Sequence, residues 1–166
     1  MCIRDRSIVK NFLIRAYEDG NDIEARGNML AASSMGSIAF QKGLGAIHSL
    51  SHPVGAIYNT HHGLTNAVFM PYVLKKNRKV IEEKMISLSR YLNLSEYSFD
   101  GFMNWILELR KKLSIPHTLK ELINDESQIK KMSVMAKEDP STGGNPLELE
   151  VIDFEELYHN SFNGKL

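Results

Sequence analysis

Apolar residues recur three and four positions apart along most of this chain, and this spacing constrains the fold more than any other sequence feature. Clear examples lie in the stretches 8–17 and 99–113. Such spacing places apolar side chains on one face of an α-helix, whereas a strand alternates apolar and polar residues. The sequence contains no alternating stretch of convincing length and no internal repeat. It therefore predicts an all-α fold, with residues 1–166 forming one helical domain.

Helix-breaking residues divide the chain into a series of predicted helices. A kink is expected at Pro53, because proline removes a backbone hydrogen bond. The stretch "EDPSTGGNPLELE" is rich in turn formers and is predicted to be the long loop before a last helix capped by Asp153. The predicted helices cover residues 8–17, 23–42, 44–58, 64–77, 79–92, 99–113, 127–137 and 151–162.

The second predicted helix, over residues 23–42, differs from the others in composition. It is rich in Ala, Ser and Gly on nearly every side, and small residues at this density allow helices to approach closely. We therefore expect a buried central helix, capped by Asn21 and Glu24 and ended by a glycine. Its large side chains are expected in the core; they are Met29, Met35 and Phe40.

The composition indicates a globular protein without a polyanionic partner. With 20 basic and 20 acidic residues, the chain has no net charge that would attract nucleic acid or an anionic membrane. No apolar stretch reaches the roughly 18 residues that span a bilayer, and the start lacks a signal-peptide pattern. The single cysteine, Cys2, cannot form an internal disulfide, so the cytoplasm is the expected location.

The beginning "MCIRDR" has no helix cap or lead-in, which suggests a truncated start with residues 1–6 not native.

Four of the six histidines cluster in the stretch "GLGAIHSLSHPVGAIYNTHHG". On a helix His48 and His52 stand one turn apart, while His61 and His62 follow at a chain break, so several imidazoles can reach one metal ion. A catalytic divalent metal normally takes three or more protein ligands, and a carboxylate should balance its charge. Yet no Asp or Glu occurs between residues 25 and 81. From spacing alone, half of a metal site and histidines without any metal both stay open.

The residues of this region resemble those of the iron-containing alcohol dehydrogenase family. "GLGAIHSLSHPVGAIYNTHHGLTNAVFMPYVLKKN" is similar to the family's characteristic stretch, a helix with two histidines four apart and proline after the second, then a His-Gly break. "DIEARGNMLAASSMGSIAF" resembles the helix before it, and "STGGNPLELEVIDFEELYH" resembles the tail of members close to lactaldehyde reductase. The resemblance extends from about Asn11 onward. It implies the C-terminal, helical, metal-binding domain of a two-domain dehydrogenase.

The resemblance implies a role for each matching residue. His48 and His62 match two metal-ligating histidines, and His52 matches a histidine in the cleft near the nicotinamide, where it positions the ring or relays a proton. His61 stands where the family usually has proline, so it is interpreted as a neighbour of the site. The family's other two ligands, an Asp and a His, and its α/β domain for NAD or NADP lie upstream of the region seen here. Ser141 stands in a turn where relatives often have cysteine near the substrate.

The resemblance also implies an activity. The cofactors would be a divalent metal, iron in preference to zinc, and NAD or NADP; the reaction would be hydride transfer between primary alcohols or diols and aldehydes. The substrate would be a small alcohol or aldehyde, the full-length enzyme a homo-oligomer, and the 166-residue chain alone inactive. The alternatives left open are a zinc-dependent glycerol dehydrogenase or dehydroquinate synthase-like enzyme, and a helical interaction module that has lost catalysis.

Three further features are interpreted as structural. The glycines of "STGGNP" follow no predicted strand, which a dinucleotide-binding loop requires, so they are expected to form a turn near the cleft. His117 is interpreted as a solvated loop residue, and His159 as a surface residue of the last helix.

Overall fold

The computed structural model describes residues 3–166, and all regular elements in that range are helical. This confirms the predicted all-α class. Met1 and Cys2 lie outside the described range, so the expectations for the single cysteine and for the first two residues stay predictions. Across the described residues, no helix is long and apolar enough to span a membrane. The α-helices are α1 (Arg4–Glu18), α2 (Ile23–Phe40), α3 (Ala46–Tyr58), α4 (His62–Tyr91), α5 (Phe99–Lys112), α6 (Ile129–Glu138) and α7 (Val151–Asn163), and two 3₁₀ helices cover Leu119–Glu121 and Pro140–Gly144.

The described chain divides into two compact units. The first unit contains the residues up to Gly43 together with Glu82–Leu113, and in it α1 packs against α2. Helix α5 begins where the Ser98 hydroxyl accepts a hydrogen bond from the Gly101 amide at 2.8 Å. Its apolar face is buried, as the spacing predicted. The prediction of a single domain stays a prediction.

Helix α2 differs from its predicted role as a buried central helix. Among its described residues, only Ala25 and Ala32 are buried, while Phe40, expected in the core, is 52% exposed. A helix that is apolar on every side can bury only the side that a neighbour covers. Its N-cap is also displaced by one residue from the predicted position, since the Asp22 side chain accepts from the Ala25 amide. Its other large exposed side chains are Ile23, Leu30 and Ile38.

The second unit contains Leu44–Ile81 and Ser114–Leu166 and holds the main hydrophobic core. Tyr158 lies at the centre of this core with its ring edge against Phe69, and its hydroxyl donates to the Leu50 carbonyl at 2.7 Å. Burial of these side chains supplies most of the driving force for packing α3, α4, α6 and α7 together. The core side chains are Ala46, Leu50, Val54, Val68, Phe69, Tyr72, Val73, Leu119, Ile123, Ile129, Met132, Ala136, Leu149, Phe154, Leu157, Tyr158 and Phe162.

Several predicted boundaries differ from the structure. The predicted helices 64–77 and 79–92 are one helix, α4, because nothing near residue 78 is a Gly or Pro that would end it. Part of the predicted long loop is the 3₁₀ helix Pro140–Gly144. Asp153 helps to cap α7 as predicted, but from the third helical position: its carboxylate accepts from the amide of Glu150, which is the N-cap.

Candidate metal centre

Helix α3 carries His48 and His52, and the short connection that follows it positions His62. The helix begins at Ala46, whose amide donates to Oδ1 of Asn145 at 3.3 Å, because the N-cap residue Gly45 has no side chain to do so. It ends at Tyr58, and the C-cap residue Asn59 adopts a left-handed conformation with φ of 53°. The next helix, α4, starts only three residues later with His62. This short connection brings the start of α4 back beside α3.

The structure brings His48, His52 and His62 together. The ring centroids of His48 and His62 lie 5.3 Å apart, and those of His48 and His52 lie 5.9 Å apart. The His52 ring stacks on the His62 ring with a centroid distance of 5.3 Å and an interplanar angle of 15°. His61 instead turns its Nδ1 to its own helix, where it accepts from the Leu64 amide at 3.2 Å. The cluster thus contains the three histidines singled out from the sequence.

Asn66 connects the two candidate metal ligands. Its Nδ2 lies 3.3 Å from Nε2 of His48 and 3.0 Å from Nε2 of His62. An amide NH₂ group only donates, so both Nε2 atoms act as acceptors and their lone pairs point towards one place. The Oδ1 atom of Asn66 is buried without a hydrogen-bond partner. Asn66 was not identified from the sequence, although its position four residues after His62 on α4 was a usable sign.

This arrangement fits a divalent metal as two of its ligands. Two neutral imidazoles whose Nε2 atoms face one point are the donors that a first-row metal prefers. The Asn66 NH₂ group that occupies this point would have to give way to the metal, and the Asn66 oxygen has no hydrogen-bond partner that holds the amide in place. Within residues 3–166, no group of three or more His, Cys, Asp or Glu side chains is close enough to hold a metal ion. The described chain therefore offers fewer donors than a catalytic metal normally takes.

The local electrostatics keep His48 in the form that binds metal. Burial lowers the pKa of the His48 imidazole, and the neighbouring rings of His62 and His52 lower it further, while Asp139 acts in the opposite direction. A lowered pKa leaves the ring neutral at physiological pH. Metal binding requires the unprotonated nitrogen, so His48 needs to release little or no proton on ligation.

A carboxylate that the sequence reasoning missed lies at this cluster. Oδ2 of Asp139 is 2.7 Å from Nδ1 of His52, although the two residues are 87 positions apart. The Asp139 side chain is only 13% exposed. Burial alone would raise the pKa of this carboxyl, but the hydrogen bonds from His52 and from the Ser141 amide outweigh burial and lower it. The acid-free run around the histidines therefore did not exclude a nearby acid, because the contact is made by distant packing.

The turn that carries Asp139 is fixed against α3 by close contacts. Asp139 caps the 3₁₀ helix Pro140–Gly144, accepting from the Ser141 amide at 2.8 Å. A Cβ atom added to Gly144 would collide with the carbonyl oxygen of Leu44. The Thr142 hydroxyl lies 2.7 Å from the hydroxyl of Ser49 on α3. Gly144 thus serves packing, whereas Gly143 lies in open space, and no described strand precedes the two glycines as a dinucleotide loop would require.

The remaining candidate histidines lie outside the cluster. His117 is exposed in the segment before the 3₁₀ helix Leu119–Glu121, and its carbonyl accepts from the Tyr72 hydroxyl at 2.8 Å. His159 is exposed on α7, with Nδ1 3.8 Å from Glu126. Both positions agree with their interpretation as residues at the surface.

Comparison with known proteins agrees with the resemblance seen in the sequence. The model of the C-terminal part of the Fe-containing alcohol dehydrogenase family matches residues 1–162. The chain belongs to this family. It is 32% identical over 166 residues to an NADPH-dependent butanol dehydrogenase of Clostridium saccharobutylicum, covering 95% of this chain and 42% of that protein. It is also 29% identical over 151 residues to a lactaldehyde reductase of Escherichia coli K12, covering 87% of this chain and 38% of that protein.

Solved structures of the family share the fold. An iron-containing alcohol dehydrogenase from Thermococcus thioreducens superimposes with a TM-score of 0.86 at 28% identity, covering 98% of this chain and 43% of that one. A 1,3-propanediol oxidoreductase superimposes with a TM-score of 0.92 at 24% identity, covering 96% of this chain and 44% of that one. The chain spans about two fifths of the length of the dehydrogenases that it matches.

Proposed function

We propose that this chain is the metal-binding part of an NAD(P)-linked alcohol dehydrogenase that interconverts small primary alcohols or diols and aldehydes. The observation that carries the proposal is the pair of Nε2 atoms, on His48 and His62, that converge on Asn66. Family membership supports the reaction class, since the matched relatives include dehydrogenases named for butanol and for 4-hydroxybutyrate.

In this proposal His48 and His62 hold one divalent metal, iron in preference to zinc. Such a metal supplies Lewis-acid chemistry when bound, favouring the alkoxide of an alcohol or polarising the carbonyl of an aldehyde. His48 contributes a neutral imidazole without first losing a proton, and α3 and α4 hold the two nitrogens at a fixed spacing. Two further ligands, an Asp and a His, belong to a part of the dehydrogenase beyond these 166 residues.

His52 serves the cofactor side of the site. During alcohol oxidation a hydride leaves carbon for NAD or NADP and a proton leaves the hydroxyl, so the site must place a nicotinamide and accept or pass on a proton. The His52 ring is 41% exposed and stacks on His62, which allows it to contact a bound molecule without leaving the cluster. Phosphate binding of the dinucleotide belongs to a separate α/β domain, and the whole enzyme is a homo-oligomer in this proposal.

The first test is the genomic sequence upstream of the Ser7 codon. We expect an Asp and a His on a helix just before this chain, and a glycine-rich phosphate loop further upstream. A stop codon directly before the chain would contradict a dehydrogenase of two domains and favour the helical interaction module. The purified 166-residue chain is expected to show no alcohol-dependent reduction of NAD or NADP, and detecting that reduction would contradict a divided site.

The second test uses single substitutions in the longer protein. His48→Ala and His62→Ala are each expected to lower kcat/KM at least about 100-fold, because each removes a metal ligand. His61→Ala is the matched control, since it removes the neighbouring imidazole and is expected to change kcat/KM less than about threefold. Activity that survives the loss of either His48 or His62 would contradict the assigned ligands. The metal content of each purified variant separates iron from zinc.

A further inference from the structure

Asp139 holds the His52 ring in a way that the metal ligands do not require. Its two carboxylate oxygens have different partners. Oδ1 accepts from the Ser141 amide at 2.8 Å, and Oδ2 contacts Nδ1 of His52 at 2.7 Å. The Asp139 amide in turn donates to the carbonyl of Ala136. The carboxylate therefore lies at the junction where α6 ends and the 3₁₀ helix Pro140–Gly144 begins.

We propose that Asp139 is a positioning residue that fixes the tautomer and the ring orientation of His52, with the proton on Nδ1 and with Nε2 left for a bound cofactor or substrate. The proposal rests on the proposed function only for the use that the enzyme makes of His52. The tautomer itself is a property of this chain alone.

The chemistry of the pair determines which nitrogen carries the proton. An ionised carboxylate only accepts hydrogen bonds, so the ring nitrogen at 2.7 Å must be the donor. Neutral imidazole has one N–H, and placing it on Nδ1 leaves Nε2 as an acceptor. Of the two ring nitrogens, only Nε2 is then able to accept a hydrogen bond from a ligand or to take up a proton.

Two further contacts make the orientation of the ring specific. The His52 ring stacks at 15° on the His62 ring, which disfavours rotation of the imidazole out of that plane. The Thr142 hydroxyl contacts Ser49 on α3, which keeps the Asp139 turn in register with the helix that carries His52. A carboxylate partner of this kind is a common means of orienting a functional histidine, and its removal typically costs about 10- to 100-fold in activity.

The test is the protonation state of each ring nitrogen, read by ¹⁵N–¹H correlation spectra of the 166-residue chain labelled at histidine. Measurements at about pH 9 keep imidazoles of ordinary pKa neutral, and a His52→Gln variant identifies the His52 signals. We expect Nδ1 of His52 to be the protonated nitrogen in the unsubstituted chain. In Asp139→Asn the side chain has one oxygen for two donors, the Ser141 amide and Nδ1 of His52. A large share of the His52 rings should therefore carry the proton on Nε2.

The neighbouring acid supplies a matched control. Glu138 is exposed at the end of α6, and Glu138→Gln removes the same charge one residue away. It is expected to leave the proton on Nδ1 of His52. A proton on Nε2 in the unsubstituted chain would overturn the proposal, and that measurement decides even if Asp139→Asn fails to fold. A folded Asp139→Asn chain with the proton still on Nδ1 would overturn it as well.

Activity in the longer protein separates this proposal from the proposed function. Asp139→Asn is expected to lower kcat about 10- to 100-fold while the metal content stays at the unsubstituted level, because the substitution leaves both metal ligands in place. An unchanged kcat would overturn the positioning role. A longer protein without any dehydrogenase activity would overturn the proposed function. The spectra would still decide independently which nitrogen of His52 carries the proton.

Discussion

Replacing Asn145 by Ala tests whether one half-buried side chain holds the elements of the site together. Its Oδ1 accepts from the Ala46 amide at 3.3 Å and from Nδ2 of Asn77 at 2.9 Å, and its Nδ2 donates to Oδ1 of Asn77 at 3.0 Å and to the Leu147 carbonyl at 2.7 Å. These bonds join the start of α3, the middle of α4 and the segment after the Asp139 turn.

The magnitude follows from what Asn145→Ala leaves unpaired. Asn77 is 4% exposed, and both ends of its amide lose their partner. A buried polar group left unsatisfied costs about 1–3 kcal/mol, whereas a partly solvated backbone group recovers most of its bond from water. We therefore expect the free energy of unfolding to fall by about 2–4 kcal/mol, most of it from Asn77.

Urea denaturation followed by far-ultraviolet circular dichroism measures this change. The control is Asn28→Ala, since the Asn28 amide donates to the Glu24 carbonyl on the exposed side of α2, and this change is expected to alter the unfolding free energy by less than about 0.5 kcal/mol. The double variant of Asn77 and Asn145 to Ala should cost less than the sum of the single changes, because the second removes a group already without a partner. A loss below about 1 kcal/mol for Asn145→Ala, or strict additivity, would contradict the role of the Asn77–Asn145 hydrogen bonds.

Three further substitutions test the packing of the second unit by urea denaturation. Gly144→Ala should cost about 1–3 kcal/mol because its Cβ meets a backbone carbonyl, while Gly143→Ala, in open space, should be nearly neutral; equal effects would contradict the close approach. Tyr158→Phe should cost about 1–2 kcal/mol, since it removes only a buried hydrogen bond, and no loss would contradict that bond. Burial would raise the pKa of Asp153, but its bonds with Lys76 and the Glu150 amide lower it. The stability advantage over Asp153→Asn should therefore be full near pH 6 and shrink as pH falls through the lowered pKa; an advantage that does not shrink at low pH would contradict this.

The helices and the histidine cluster were predictable because they depend on short stretches of sequence. His48 and His52 are one turn apart on α3, and His62 follows a short break, so local geometry alone brings the three rings near one another. The two wrong predictions, on α4 and α2, arose because short stretches of sequence were interpreted without their neighbours in the fold. The helix α4 was divided in two without a residue that stops a helix, and α2 was placed in the core on composition, although composition does not say which side a neighbour covers.

The groups that organise the cluster were not predictable from spacing. Asp139 reaches His52 across 87 positions, and Asn145 reaches Ala46 across 99. Such pairs form only when α3, α6 and the 3₁₀ helix Pro140–Gly144 have packed around the core. A single sequence shows that Asp139 precedes a proline in a stretch rich in turn formers, but it does not show which side chain that turn meets.

In the proposed site, Nε2 of His48 and Nε2 of His62 bind the same metal ion. Zn²⁺, a diamagnetic substitute for iron, can be titrated into the histidine-labelled 166-residue chain while the imidazole ¹⁵N signals are recorded. We expect the two Nε2 signals to shift together with one common midpoint, at high zinc concentration because residues 3–166 offer few ligands, while the His61 signals stay in place until higher concentrations. Separate midpoints for His48 and His62, or a response of His61 before them, would contradict this shared binding.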